Sequence, residues 1–270
     1  MPPTGDWLAL SRRAAESGRQ AIAATAERSR EIGRGEGGDM TLAIDEAAED
    51  AVFAELESLG AGLVAVSEER GEVTLHGGAG ARVVIDPIDG SLNAKRRLPM
   101  YSLSIAVAAG GGDDMGAIDF GYVANFATGE EWWAARGEGA FLDGERLSLD
   151  DDDIELEILG VETADPVRVA KGADALAAMG AHRLRMIGSI ALSLCYVASA
   201  RFDAMLSLRT ARSVDAAAGQ LIVSEAGGAV AFPDVEGHAG LGLDMRSRVF
   251  AAGTKALLEG VLRLAPEVQR

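Results

Sequence analysis

The fold is decided by the stretch Arg82-Val83-Val84-Ile85-Asp86-Pro87-Ile88-Asp89-Gly90-Ser91. Residues 82–85 form a β-branched run that is typical of a buried strand, and the following proline removes a ladder donor and restricts the residue before it. We therefore expect the strand to end at Asp86. Asp89-Gly90 is a turn signal, and Ser91 can cap a short helix or turn that follows. Two aspartates are thus left on one tight bend.

This bend has the chemistry of a combined cation and anion site. Hard divalent ions such as magnesium take oxygen ligands, and two carboxylates on an Asp-x-x-Asp bend can be aimed at one point. Gly90 has no side chain, so its amide can approach an anion closely, and free amides at a helix N-terminus bind anions. The sequence therefore predicts that a metal ion and a phosphate meet at this loop.

Two further carboxylate segments lie far from the first one in the chain. Residues 63–66 read as a strand that ends in Ser67-Glu68-Glu69. Ser213 is a plausible N-cap of a helix that carries Asp215 in its first turn and stops at Gly227. Each segment alone has an ordinary explanation as a turn, a solvated surface or a complement to the helix dipole. Together they predict a metal site.

These segments carry a resemblance to the inositol monophosphatase family, the lithium-sensitive, magnesium-dependent sugar phosphatases that share a fold with fructose-1,6-bisphosphatases. Residues 86–93, Asp-Pro-Ile-Asp-Gly-Ser-Leu-Asn, resemble the family signature, and Ser67-Glu68-Glu69 resembles its glutamate motif. Residues 214–219 resemble its Trp-Asp-x-Ala-Gly motif, with Val214 in place of the tryptophan. Residues 135–144 and 224–228 extend the likeness over nearly the whole chain.

The resemblance implies a set of magnesium ligands. Glu68, Asp86 and the backbone carbonyl of Ile88 would hold one ion, and Asp86, Asp89 and Asp215 would hold a second, with Asp86 as the bridge between them. The family also has a third, weaker magnesium near Glu68. Two metals about 3.5–4 Å apart can activate a water and clamp the entering and leaving oxygens, so no covalent phosphoenzyme is required.

The resemblance also implies how phosphate and water are held. The amides of Gly90 and Ser91 would bind the phosphate, and the Ser91 hydroxyl would pair with Asp45 to orient or deprotonate the attacking water. Glu68 joins these two as a catalytic residue. From the residues alone, Asp45 is also a natural N-cap of a helix over residues 46–59 that Gly60 stops. Both roles are compatible.

The substrate pocket is less closely defined by the sequence. By family pattern, Gly188, Ser189 and Ile190 face the substrate ring, and residues 207–212 line the same pocket. That stretch lacks the glutamate and histidine of animal inositol enzymes, and the chain looks closer to archaeal enzymes that accept both inositol 1-phosphate and fructose 1,6-bisphosphate. Arg209 or Arg212 could meet a second phosphate, or both could simply neutralise acidic neighbours.

Composition restricts the class of protein. The 270 residues are 48% hydrophobic, and the formal net charge of −17 disfavours nucleic acid as a partner. The chain shows no long apolar run and no secretory leader pattern, so we expect a cytoplasmic protein with no membrane partner. The single Cys195 lies in an apolar, helix-like stretch and is expected to be buried rather than nucleophilic. The three histidines share no metal-ligand spacing, which disfavours a zinc site.

The order of predicted elements indicates two lobes, residues 1–149 and 150–270. In the first, helices over residues 7–32 and 46–59 precede strands at 63–66, 81–85, 102–108, 116–126 and 131–135, which predicts an α+β lobe with a mostly antiparallel sheet. The acidic run Asp150-Asp151-Asp152-Asp153 is the candidate boundary, because it lacks the spacing of a calcium loop and is expected to be a solvated connection. Residues 33–38 read as a mobile glycine-rich loop.

The second lobe is predicted to alternate strands with helices. Strands are expected at 154–161, 183–187, 204–208, 229–232 and 249–252, with helices near 166–179, 190–200, 213–226 and from 255 onward. Alternation of this kind is typical of an α/β lobe. The resemblance adds a layered α-β-α-β-α sandwich, a homodimer, and an active site between the lobes.

Three functions remain open at this point. The leading one is a magnesium-dependent phosphomonoesterase that acts on inositol 1-phosphate, fructose 1,6-bisphosphate or both. A related enzyme that removes the 3′-phosphate of adenosine 3′,5′-bisphosphate is the second. A metal-binding regulatory partner that has kept the fold without its activity is the third, and a broken ligand set would favour it. All the expected carboxylates are present in the sequence.

Overall fold

The computed structural model describes residues 4–38, 40–78, 80–149, 155–163 and 165–265. The acidic run at 150–153, which the sequence predicts as the boundary between two lobes, lies outside the described residues. The division of the chain into lobes 1–149 and 150–270 therefore stays a prediction.

Two antiparallel helices, α1 (Thr4–Ala24) and α2 (Ala43–Ser58), form one outer layer. The predicted first helix was too long, because residues 25–31 offer no apolar face to bury and the helix ends at Ala24. Strand β1 (Glu31–Arg34) then pairs antiparallel with β2 (Met40–Leu42). Gly33 and Arg34 thus belong to a β-hairpin rather than to the glycine-rich loop that the sequence predicted.

A mostly antiparallel sheet of eight strands forms the second layer, as predicted. Its order is β10-β9-β8-β7-β6-β5-β3-β4, and β3 and β5 are its parallel neighbours. The prediction of one strand over residues 116–126 was wrong at its start, which is a single 3₁₀ turn at Met115–Ala117. The bounds are β3 Leu63–Ser67, β4 Gly71–Leu75, β5 Ala81–Asp89, β6 Ser102–Ala108, β7 Phe120–Asn125, β8 Glu131–Ala135, β9 Gly139–Leu142 and β10 Glu145–Arg146, with the short helix α3 at Ser91–Arg96.

A smaller mixed sheet of five strands forms the fourth layer, with the order β12-β11-β13-β15-β14. The predicted helix over 166–179 is two short helices that meet at Gly172. The strands are β11 Ile158–Glu162, β12 Arg183–Arg185, β13 Ala204–Ser207, β14 Ala229–Ala231 and β15 Phe250–Ala252. The helices are α4 Pro166–Lys171, α5 Ala173–Ala178, α6 Ile190–Ala198, α7 Ser213–Glu225 and α8 Lys255–Leu264.

Helices α6 and α7 form the middle layer between the two sheets. Their side chains are buried almost all round, which is the pattern of a helix with no solvent face. One core cluster joins them to Val84 and Trp132 of the large sheet and to Met205 and Ala251 of the small sheet. Helices α5 and α8 cover the other face of the small sheet. The predicted α-β-α-β-α sandwich is confirmed.

Candidate metal centre

Three carboxylates from distant parts of the chain converge in the structure. Oxygens of Glu68, Asp86 and Asp215 all lie within 4.8 Å of one another. The parallel pairing of β3 with β5 sets Ser67 opposite Ile85, so the residues that follow them, Glu68 and Asp86, come to the same edge of the sheet. Asp215 approaches from the first turn of α7. The fold thus brings together the three acidic segments that the sequence singled out.

The bend after Asp86 is built differently from the prediction. Strand β5 does not end at Asp86, because its ladder with β6 resumes at Asp89 after a register shift between the two aspartates. Asp86 Oδ1 accepts a hydrogen bond from the amide of Ile88 at 3.0 Å, and this closes the bend. The irregular pairing is a bulge that re-aims side chains, as bulges beside active sites do.

Asp89 is held in place by the start of α6. Its Oδ2 accepts hydrogen bonds from the Ser189 hydroxyl at 2.7 Å and from the Ala191 amide at 2.6 Å. Burial, and then the nearby charge of Asp215, raise the pKa of Asp89 to about 7. Asp89 therefore has one oxygen fixed by the protein, and its charge is coupled to that of the Asp215 carboxylate.

The Asp86 carboxyl is fully buried and crowded by the other acids of the site. Burial raises the pKa of its carboxyl well above the usual value, and the charges of Glu68, Asp89 and Asp215 raise it further. Carboxylates crowded in this way are stabilised by a cation. The oxygen-only donor set fits a hard divalent ion such as magnesium, so the residues present suit the group that the sequence implied.

Arg212 provides positive charge within the cluster. Its side chain is buried, and one Nη2 lies 2.7 Å from Glu68 Oε1 and 3.6 Å from Asp215 Oδ1. Its Nη1 donates to the carbonyl oxygen of Gly37 at 3.4 Å, which ties the β1–β2 hairpin to the site. The proposed contact of Arg212 with a substrate phosphate stays a prediction, and the structure places the side chain among the carboxylates.

Asp45 and Ser91 lie together at the edge of the cluster. The prediction that Asp45 is an N-cap was wrong, because α2 begins at Ala43 and Asp45 Oδ2 instead accepts the amide of Leu42 at 2.8 Å. Burial raises the pKa of Asp45, opposed by that amide and by the Ser91 hydroxyl. Within the described chain, its buried Oδ1 accepts no hydrogen bond. An unpartnered buried oxygen of this kind suits a bound water.

Gly90 makes the turn from β5 into α3. Its φ of 94° is in the left-handed region, and a Cβ at this position would lie 2.8 Å from the Met100 carbonyl oxygen. Only glycine fits both constraints. The hydroxyl of Ser91, the first residue of α3, donates to the Ile88 carbonyl oxygen at 3.0 Å. First-turn amides of a helix have no partner inside the helix, so they are available to an anion.

The residues predicted to face the substrate lie at the start of α6 and before α7. The Ser189 hydroxyl, besides binding Asp89, accepts the Leu192 amide at 3.2 Å as the N-cap of α6. Ile190 is buried in the middle core cluster, and Arg209 is exposed. Gly188, with φ of 76°, donates its amide to Glu162 Oε2 at 2.9 Å. Their substrate roles stay predictions.

Glu162, a buried acid beside the site, was not among the residues predicted from the sequence, whereas the half-buried Glu69 belongs to a predicted segment in which it was given no role. Glu162 ends β11 and accepts the amides of Ile187 and Gly188 and the hydroxyl of Ser193. Glu69 accepts the Thr41 hydroxyl, and burial raises its pKa to about 7. A signal for Glu162 was present in the sequence, because it follows an apolar run as Glu68 does. The predicted strand ended at residue 161, whereas β11 includes Glu162 as its last residue.

The expectation that Cys195 is buried agrees with the structure. Cys195 is fully buried in α6, and burial raises the pKa of its thiol. The grouped metal-ligand candidates among the described residues are all carboxylates. In the same part of the chain, no helix is both long and apolar enough to cross a membrane.

Comparison with known proteins gives one consistent result. A model of the inositol monophosphatase family matches residues 7–270. A fructose-1,6-bisphosphatase/inositol-1-monophosphatase of Methanothermobacter thermautotrophicus is 34% identical over 277 residues, covering 95% of each chain. A bifunctional NADP phosphatase/NAD kinase of Methanocaldococcus jannaschii is 30% identical, covering 73% of this chain and 38% of that protein.

Solved structures show the same fold. A Pyrococcus horikoshii protein, described as hypothetical with similarities to inositol-1 monophosphatase, superposes with a TM-score of 0.81 at 24% identity. The match covers 98% of this chain and all of that one. The layered sandwich described above is therefore the architecture of those proteins as well.

Proposed function

From the premise that the chain belongs to the inositol monophosphatase family and is a phosphoric monoester hydrolase, we propose that it is a magnesium-dependent phosphatase of inositol 1-phosphate, fructose 1,6-bisphosphate or both. The observation that carries this proposal is the convergence of Glu68, Asp86 and Asp215 beside a left-handed glycine at a helix N-terminus. Cation and phosphate sites then adjoin, as hydrolysis of a phosphate monoester requires.

The ligands of the ions are assigned as the family pattern implies. One magnesium would be held by Glu68, Asp86 and the carbonyl of Ile88, and a second by Asp86, Asp89 and Asp215, with a third, weaker ion near Glu68. The raised pKa values of Asp86 and Asp89 support this assignment, because buried carboxylates that repel one another are stabilised by a cation. Bound magnesium would polarise the phosphoryl group and lower the pKa of a water.

The protein's own groups then position the reactants. Asp45 accepts a proton from, or orients, the attacking water through its unpartnered Oδ1, and the Ser91 hydroxyl shares that task. The amides of Gly90 and Ser91 hold the phosphate at the N-terminus of α3. The part of the substrate beyond the phosphate would lie in a space bordered by Gly188, Ser189, Ile190, Arg209 and Arg212.

A nucleotide substrate is the second candidate. It is favoured by the likeness to proteins named as NADP phosphatases, which remove a phosphate from a nucleotide. Adenosine 3′,5′-bisphosphate belongs to the same class. The non-catalytic alternative ranks below both, because three of the expected carboxylates, Glu68, Asp86 and Asp215, converge in the structure.

The experiment compares phosphate release with magnesium and with EDTA. Four candidate substrates are ranked by kcat/KM: inositol 1-phosphate, fructose 1,6-bisphosphate, adenosine 3′,5′-bisphosphate and NADP. Release that requires magnesium supports the proposal, and the ranking identifies the substrate. No release from any of the four would shift the weight to a metal-binding partner without catalytic activity.

Removal of either second-metal ligand is expected to abolish most turnover. Asp89→Asn and Asp215→Asn each remove a charged ligand while keeping the shape of the side chain, so we expect kcat to fall at least about 100-fold with the fold intact. Asp174→Asn, at an exposed position of α5, is the matched control. Near-wild-type kcat from either purified variant refutes the two-metal assignment.

Assembly, lithium response and location are proposed on the family likeness alone. The protein forms a homodimer, is inhibited by lithium in place of the second magnesium, and works in the cytoplasm. Sedimentation velocity distinguishes the dimer from a monomer of 28.0 kDa.

A further inference from the structure

A cationic cleft lies apart from the carboxylate cluster. It has a volume of about 550 Å³ and is lined by two short stretches of chain, the turn between α1 and β1 and the end of α3. This volume is in the range of small-molecule sites. We call it the basic cleft, and its lining residues are Ala26, Glu27, Arg28, Ser29, Arg30, Lys95 and Arg97.

The charges of the basic cleft oppose the charge of the protein. The chain has a net charge of −17, yet four of these seven residues are cationic and one is acidic. Arg28 and Lys95 are half-buried, whereas Arg30 and Arg97 are exposed. Cations gathered on an acidic protein concentrate the field at one place, which attracts anions from solution.

No carboxylate of the described residues forms an ion pair with any of these four cations. Elsewhere in this acidic chain, arginines such as Arg12, Arg70 and Arg248 each pair with an acid. Cations that share a cleft and form no ion pair repel one another, so an anion that enters is attracted by all four. The basic cleft can therefore bind an anion without first breaking an ion pair of the protein.

Both walls of the basic cleft connect to elements of the metal centre. The backbone carbonyl oxygen of Arg30 accepts a hydrogen bond from the amide of Ala43 at 2.9 Å, and Ala43 is the first residue of α2, the helix that carries Asp45. Lys95 lies in the last turn of α3, whose first residue is Ser91. A helix of this length spans about 9 Å at 1.5 Å per residue, so the two sites are neighbours without sharing a residue.

We propose that the basic cleft binds a small anion with two or more phosphoryl groups. Guanidinium groups from one wall and the ammonium and guanidinium of the other form charge-assisted hydrogen bonds with phosphoryl oxygens. A single phosphoryl group engages fewer of these cations than a diphosphate does. Nucleic acid is a poorer fit, because the rest of the acidic surface repels a long polyanion.

The test is calorimetric titration of the metal-free protein with inorganic pyrophosphate in EDTA at low salt. Without metal, the carboxylate cluster repels anions, so binding reports on the basic cleft and does not depend on the proposed catalytic function. We expect a Kd below about 1 mM, with inorganic phosphate at least about tenfold weaker. Absence of pyrophosphate binding under these conditions overturns the proposal.

A double variant locates the binding. Lys95→Gln with Arg97→Gln should weaken pyrophosphate at least about tenfold, because it removes one cationic wall. Arg183→Gln with Arg185→Gln, two exposed arginines of β12, is the matched control for net charge and should leave Kd within about twofold. Circular dichroism and sedimentation check that fold and assembly are unchanged.

The opposite wall gives an independent check. If the first double variant does not fold, a second double variant, Arg28→Gln with Arg30→Gln, removes the cations of the opposite wall. It should weaken pyrophosphate binding by the same factor of at least about ten. Binding that is insensitive to both walls, or that weakens equally in the β12 control, contradicts a site in the basic cleft.

Discussion

At the scale of single residues, Arg212 offsets the repulsion among the clustered carboxylates when no metal is bound. Its guanidinium contacts Glu68 and Asp215 from a buried position and also reaches the Gly37 carbonyl of the hairpin. A buried charge that loses its partner is costly, whereas a well-placed pair is close to neutral. Arg212 and a metal ion therefore provide the same kind of compensation to the same carboxylates.

Replacement of Arg212 is expected to destabilise the metal-free protein. Arg212→Gln leaves the carboxylates without this cation, and we expect a loss of about 3 kcal/mol in the free energy of unfolding. Magnesium should restore more stability to the variant than to the wild type. Urea denaturation with EDTA and with magnesium measures both effects. Arg209→Gln, at an exposed position nearby, is the control, and equal losses in the two variants contradict the role assigned to Arg212.

The carboxyls of Glu69 and Asp89 predict how stability depends on pH. Burial raises the pKa of each to about 7, above the unfolded values of 4.5 and 3.8. The folded state therefore binds more protons, and the stability that this gives is complete below the unfolded values and is lost as pH rises through about 7. We expect Tm in EDTA to fall from pH 5 to pH 8, as calorimetry measures. A rising Tm over this range excludes the assigned shifts.

At the scale of elements, the position of α7 depends on its contact with the large sheet. A Cβ on Gly121 of β7 would lie 2.8 Å from the carbonyl oxygen of Ala218, a backbone atom of α7. This close approach seats the helix that presents Asp215 to the other carboxylates. The absence of a side chain in one strand thus fixes the place of the Asp215 carboxylate, which another element provides.

An added methyl group at this contact should move α7. For Gly121→Ala we expect a loss of about 2 kcal/mol in the free energy of unfolding, because a backbone atom must shift to accommodate it. We also expect a higher magnesium concentration for half-maximal activity. Gly110→Ala is the control, since a Cβ there meets nothing within 4 Å. Unchanged urea midpoints in both variants contradict the close contact.

The ends of elements explain what the sequence could predict and what it could not. The strands before Glu68 and Asp86 were predictable, because apolar runs stop there at polar or proline residues. The start of α2 was predicted wrongly, because Asp45 is not the N-cap. Its carboxylate lies inside the first turn and accepts a hydrogen bond from the backbone amide of Leu42. The pairing of Arg212 with Glu68 joins opposite halves of the chain, and no local pattern encodes it.

At the scale of the whole molecule, the excess of 42 acidic over 25 basic residues governs the response to salt. Self-repulsion destabilises a compact acidic chain, and salt screens it. We expect potassium chloride to raise the Tm of the metal-free protein at pH 7, as scanning calorimetry measures. Near the pI of 4.6 the same salt should change Tm little. A Tm that falls with salt at pH 7 contradicts this expectation.

The distance in sequence between the converging carboxylates has a consequence for the integrity of the chain. Glu68, Asp86 and Asp215 belong to segments that no covalent bond other than the backbone connects, and a single cysteine cannot form an internal disulfide. The two ions proposed above share Asp86, so together they would act as a removable cross-link between these segments, closing long loops of chain in the way that a disulfide does. Loss of those ions would release three segments at once, so we expect a chelator to expose the backbone to proteases.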